Sequence, residues 1–115
     1  MNKNLPMSER RKKYIAKFKD PRWQKLRLKV LERDEWCCQC CFDPDSTLAV
    51  HHKYYLPQRE PWEYPLDAFL TLCESCHESE TKTRPESEKN LLHSLKAKGF
   101  LADSVQDLAN GLKEM

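Results

Sequence analysis

At 115 residues, with 39% apolar and 33% charged side chains, the chain holds one domain with a modest core that gains from a metal staple, not a large enzyme with a deep pocket. No apolar run approaches the roughly 20 residues of a membrane-spanning helix, and the polar start lacks a signal-peptide core, so a cytoplasmic, reducing location is expected, where C-x-x-C pairs read as metal ligands before disulfides. The net charge of +2 conceals an asymmetry: residues 1–33 carry twelve Lys or Arg against three acids, and the remainder eight against fifteen, so the basic segment is either a footprint for a polyanion or a solvated helix face.

Residues 1–8 read as loose chain, with a helix beginning near Ser8 and Glu9 in its first turn. Asp20-Pro21 starts a second helix, Asp at the cap and Pro at the first helical position. Trp23, Leu26, Val30 and Leu31 recur at helical spacing and predict one buried stripe, with Arg22, Lys25, Arg27, Lys29 and Arg33 turned outward. The run from Trp36 to Cys41 contains two overlapping pairs, Cys37/Cys40 and Cys38/Cys41, and spacing alone leaves the choice between them open. Asp43-Pro44-Asp45-Ser46 is a turn cluster, and residues 47–55 are β-branched and aromatic enough to form a strand. Pro57, Pro61 and Pro65, with Trp62 and Tyr64 between them, predict an irregular loop before a second short strand at 69–72. Cys73, Cys76 and His77 then open a helix running toward Arg84, where Pro85 is expected to interrupt it. Beyond it, Leu91, Leu92 and Leu95 share a helix face that stops at Gly99, and Asp103 is expected to cap a last helix through Val105, Leu108, Ala109 and Leu112.

The chemistry gathers in the middle. Cys73-x-x-Cys76 with one earlier pair supplies four sulfurs for a tetrahedral zinc, a cage without an open position and therefore structural. The frame encloses His51-His52 and closes with His77. Neighbouring strand residues face opposite sides, so His51 and His52 take different roles unless the strand twists locally. An imidazole that titrates near neutrality accepts a proton from water at physiological pH. Each residue also has a plain structural use. His52 can be a packed strand histidine, and His77 can simply open its helix. Tyr54, Tyr55, Trp62 and Tyr64 can pack as well as stack on bases. Lys53, Lys82 and Arg84 can stay solvated as well as touch phosphates, and His93, outside the frame, has no assigned role.

The order Arg33-Asp34, Cys38-x-x-Cys41, Leu48-Ala49-Val50-His51-His52, Leu72-Cys73-x-x-Cys76-His77 resembles the HNH endonucleases over roughly residues 22–84. The resemblance implies an α+β fold, a small ββα-metal (His-Me finger) core with a treble-clef-like zinc knuckle, flanked by N- and C-terminal helices. It implies a structural Zn²⁺ on Cys38, Cys41, Cys73 and Cys76, leaving Cys37 and Cys40 as spare thiols, one of them expected to be buried. It also implies His52 as general base, with His51 and His77 as ligands of a second, catalytic divalent ion such as Mg²⁺, Mn²⁺ or Ni²⁺. The activity implied is metal-dependent hydrolysis of DNA phosphodiesters, leaving a 5′-phosphate and a 3′-hydroxyl. Partners would be DNA and a larger protein, with no membrane.

One position departs from the family's pattern. The middle Asn falls on Ala68, with Asp67 beside it as a substitute if the loop shifts by one residue. His51 stands where many members carry Asp, which makes the site richer in nitrogen. The division expected is a basic extension at 1–21, the nuclease domain at 22–84 and a helical tail at 85–115. The alternative function is a non-catalytic zinc module that binds nucleic acid or protein. A third is a zinc scaffold acting through residues 86–115.

Overall fold

The computed structural model describes residues 7–115. Of the loose chain expected at 1–8, residues 1–6 lie outside the described residues, while Met7 and Ser8 already belong to helix α1 (Met7–Lys17). Helix α2 (Pro21–Arg33) starts as its sequence dictates. Asp20 stays extended and its carboxylate accepts the Arg22 backbone N–H at 2.8 Å, with Pro21 at the first helical position. Trp23, Val30 and Leu31 are buried and Leu26 partly so, which is the predicted stripe.

Strands β1 (Leu48–His52) and β2 (Phe69–Cys73) pair antiparallel, from Leu48 opposite Cys73 to His52 opposite Phe69. β1 is shorter than the sequence suggests: Lys53 N–H still reaches the Ala68 carbonyl at 2.8 Å, but Ala68 N–H turns back to the Pro65 carbonyl at 3.0 Å, and the ladder ends there. A 3-10 turn at Leu66–Ala68 leads back into β2. The hairpin packs against α2. Trp23, Val30, Tyr64, Ala68 and Phe69 form one apolar cluster, and Leu72 with Cys38 and Cys73 forms another.

β2 passes without a loop into α3 (Glu74–Ala97), which runs through Pro85 and does not end there. A proline removes one N–H from the ladder, a local loss. Here the turns around it are tied by i,i+4 pairs: Lys82 with Glu78, and Arg84 with both Glu80 and Glu88. The stop at Gly99 is as expected. Phe100 N–H reaches the Leu95 carbonyl at 2.9 Å and Gly99 N–H that of Lys96 at 3.0 Å, with Gly99 at φ +86°, the paired bonds of a Schellman ending. Helix α4 (Ala102–Lys113) is capped at Leu101, so Asp103 sits inside the first turn and caps nothing. There its charge still favours the positive end of the helix.

The chain is thus an α+β structure: N-terminal helices, an antiparallel hairpin followed directly by a long helix, and a C-terminal helix. It divides into two compact units, Met1–His77 and Glu78–Met115. No described helix is long and apolar enough to cross a membrane.

Candidate metal centre

The segment that leaves α2 reaches its place through an unusual backbone. Glu35, Trp36 and Phe42 adopt positive φ, at 56°, 55° and 61°. Gln39 pins the turn from inside. Its backbone N–H donates to the Thr71 carbonyl of β2 at 2.9 Å, and its side-chain amide donates to the carbonyls of Asp34 and Cys37. Cys38 is consequently fully buried beside Cys73, while Cys41 turns to the same point from the other side of the knuckle.

The sulfurs of Cys38, Cys41, Cys73 and Cys76 all lie within 4.8 Å of one another, the one such group of three or more metal-ligating residues among the described residues. The structure therefore selects Cys38/Cys41 over the overlapping pair. Cys37 is half-buried with its thiol toward the Cys38 carbonyl at 3.7 Å, and Cys40 is exposed, so neither spare thiol is fully buried. Backbone N–H groups of Cys40 and Cys41 donate to Cys38 Sγ, and that of Cys76 donates to Cys73 Sγ, each at 3.4 Å.

The donors at Cys38 favour its thiolate. Burial pushes the Cys38 thiol up, but the backbone N–H groups of Cys41, Cys73 and Cys40 outweigh it and hold it at about 6. Cys76 is driven the other way, chiefly by the neighbouring Cys73 sulfur and then by burial. Four thiolates this close repel one another, and a divalent cation at their centre relieves that repulsion. The cluster can hold a structural Zn²⁺, in a site that joins the knuckle, the end of β2 and the first turn of α3.

A brace missed in the sequence holds this assembly. Arg33, expected to point outward, turns in. Its guanidinium grips the Asp34 carboxylate in two bonds of 2.8 and 2.9 Å and donates to the carbonyls of Leu66 and Phe69, each at 2.7 Å. Asp34, 8% exposed, also accepts the Thr71 backbone N–H at 2.9 Å. Burial raises the Asp34 carboxyl, yet Arg33 and Thr71 together hold it below its ordinary value. The adjacent Arg-Asp pair at the end of a helix was the signal available.

Alternation along β1 separates the two strand histidines. His51 meets His77 of α3, ring centroids 5.1 Å apart and nearly perpendicular. His52 enters the apolar cluster and is 5% exposed. It stacks on Trp23 and Tyr55 and meets the edges of Tyr64 and Phe69. Its Nε2 lies 3.2 Å from the Pro61 carbonyl, which can only accept, so Nε2 carries the proton and Nδ1 is the basic nitrogen. Burial lowers the His52 pKa, with the Pro61 carbonyl opposing. His52 also lines a pocket of ≈ 70 Å³ shared with Tyr14, Lys17, Tyr55 and Arg59.

Ala68 is wholly buried in the same cluster. Asp67 is exposed in the 3-10 turn, where its charge acts on Arg33. The Pro61 carbonyl thus holds the His52 ring. His93 lies exposed in the second unit.

Comparison with family models, with curated proteins and with solved structures finds no match.

Proposed function

We propose that the chain is a zinc-stapled endonuclease of the HNH type that hydrolyses DNA phosphodiesters, leaving a 5′-phosphate and a 3′-hydroxyl. The observation that carries this reading is the meeting of His51 and His77 on one face of the hairpin end, with His52 on the other. Hydrolysis of a phosphodiester runs in line, with attacking water and leaving oxygen on opposite sides of phosphorus.

His51 and His77 would hold a second divalent ion through nitrogen, which stabilises charge on the phosphate oxygens when bound. His52, kept neutral by burial and oriented by the Pro61 carbonyl, would take the proton from water at Nδ1. Lys17 and Arg59 line the same pocket as His52 and would meet a phosphate that entered it. The exposed cations Arg10, Arg11, Lys12 and Lys13 of α1 would track the DNA backbone.

The burial of His52 against Trp23 favours a second reading, a zinc module that binds nucleic acid or protein without cleaving.

Supercoiled plasmid incubated with the zinc-loaded chain across Mg²⁺, Mn²⁺ and Ni²⁺ separates the two. The nuclease reading expects relaxation or linearisation that is lost in folded His52→Ala and His77→Ala variants. DNA binding without cleavage under every ion would select the module.

A further inference from the structure

The metal-ligating group of Cys38, Cys41, Cys73 and Cys76 leaves two of the chain's six cysteines outside it, and these two part company in the knuckle. Cys37 turns its thiol back to the Cys38 carbonyl at 3.7 Å. It lines a cavity with Arg33, Asp34, Gln39 and Phe42 that none of the four ligands lines. Cys40 stays with the cluster. Its backbone N–H donates to Cys38 Sγ at 3.4 Å, and its thiol, after those of Cys73, Cys41 and Cys38, acts on Cys76 through a side-chain hydrogen bond. A fifth sulfur therefore stands against the ligand from the first turn of α3.

Four sulfurs complete a tetrahedral zinc, so a fifth beside them has no coordination position and is left to react. Oxidation of a thiol follows its exposure, and reversible sensors set a second, resolving thiol next to the one oxidised. Cys40 is exposed and Cys76 half-buried. A small oxidant thus reaches Cys40 without opening the fold, and the oxidised sulfur finds Cys76 beside it.

We propose that Cys40 is a site of oxidation by hydrogen peroxide, and that it then forms a reversible disulfide with Cys76 that takes one ligand from the zinc site. The Cys40 sulfur attacks one peroxide oxygen, the O–O bond breaks, and the other oxygen leaves as water with the thiol proton. Cys40 is then a sulfenic acid. The Cys76 sulfur attacks the Cys40 sulfur, the S–S bond forms, and hydroxide leaves to be protonated by solvent. Two electrons have passed from the sulfur pair to peroxide. Three sulfurs remain for the ion, too few to close its tetrahedron, and it is released; a dithiol reductant reverses the exchange. The inference rests on the four-cysteine zinc reading and stands without the nuclease reading. Cys76 is followed at once by His77, so the oxidation acts next to the meeting of His77 with His51.

Hydrogen peroxide added to the full zinc-loaded chain beside a chromogenic zinc indicator tests it, with zinc content measured first on the reduced protein. Zinc is expected to appear in solution as the chain loses the mass of two hydrogen atoms, with a Cys40–Cys76 cross-link found by fragmenting the tryptic peptides. Dithiothreitol and fresh zinc restore the starting state. Cys40→Ser, folded by circular dichroism and loaded with zinc, keeps its metal at the same dose, and Cys37→Ser releases it as wild type does. Release unchanged in Cys40→Ser would overturn the inference, as would a disulfide between any other pair or a wild-type chain that keeps its zinc. A reduced chain without zinc would show, before any peroxide is added, that the metal centre itself fails and the inference with it.

Discussion

The imidazole of His52 lies almost flat on the indole of Trp23, centroids 5.3 Å apart and planes 9° from parallel. The contact joins the first turn of α2 to the last residue of β1. Its placement depends on the Asp20-Pro21 start, which fixes where the helix begins and hence where Trp23 falls. Truncating Trp23 to Ala removes a side chain that is 5% exposed and is expected to cost about 3–5 kcal/mol, read as a lowered urea midpoint at unchanged slope. It also opens the wall beside His52, so the His52 resonance should titrate closer to its ordinary range.

That lowered pKa gives a pH dependence of known sign. Below the ordinary histidine pKa of 6.5 the unfolded histidine binds a proton that the folded one refuses. The stability tied to His52 is therefore full above pH 6.5 and is lost as pH falls through the native pKa. Unfolding free energy measured between pH 7.5 and 5, on zinc-loaded protein without other divalent ions, should fall more steeply for wild type than for His52→Gln. The difference should not exceed about 1.4 kcal/mol per pH unit, the limit for one proton. Equal slopes would mean His52 is protonated as easily folded as unfolded.

One zinc per chain is expected, with Cys38→Ser and Cys73→Ser losing it and Cys37→Ser and Cys40→Ser retaining it. A chromogenic zinc assay with circular dichroism before and after a chelator checks both points. Loss of zinc from Cys40→Ser with retention in Cys41→Ser would reverse the choice of pair.

Arg33→Met removes four charge-assisted bonds and leaves Asp34 buried beside an apolar stem. The expected cost is about 1.5–3 kcal/mol, toward the lower end because 35% of the Arg33 side chain is exposed to screening water. Thermal melts of Arg33→Met and Arg33→Lys should both fall below wild type, since an ammonium cannot replace the two-pronged grip.

DNA binding should weaken steeply with salt. Replacing Arg10, Arg11, Lys12 and Lys13 by Gln is expected to flatten the plot of log K against log salt by about 0.9 for each phosphate contact removed, while melting temperature stays within a degree or two. A slope unchanged by these substitutions would assign these four cations of α1 to solvent.

Much of this architecture is written locally. The Asp20 cap, the apolar spacing from Trp23 to Leu31 and the Gly99 stop each act within one helix, and each is where the sequence puts it. The choice between Cys37/Cys40 and Cys38/Cys41 is written elsewhere. It depends on Gln39 N–H meeting the Thr71 carbonyl, a pairing across more than thirty residues that no spacing encodes. Arg33 escaped for the same reason, its acceptors being carbonyls at 66 and 69. Pro85 misled because its penalty is confined to one turn, whereas Lys82 and Arg84 hold the turns around it. At Ala68 the sequence shows a small apolar residue but not its surroundings: the position is wholly enclosed in the Trp23–Phe69 cluster.

The chain owns two glycines, at 99 and 111, and spends neither on the bend between α2 and the sulfur cluster. Glu35, Trp36 and Phe42 take the left-handed backbone there instead, at about 1–2 kcal/mol each for a residue with a Cβ. The bend therefore holds its shape by being tied at both ends, to α2 and to the metal-binding sulfurs. In a metal-free chain the sulfur tie is lost while Gln39 still holds to the Thr71 carbonyl, and residues 35–42 are expected to loosen toward ordinary dihedrals ahead of the rest of the unit. Amide exchange and proteases should find that segment first in the metal-free chain, and adding zinc should slow both.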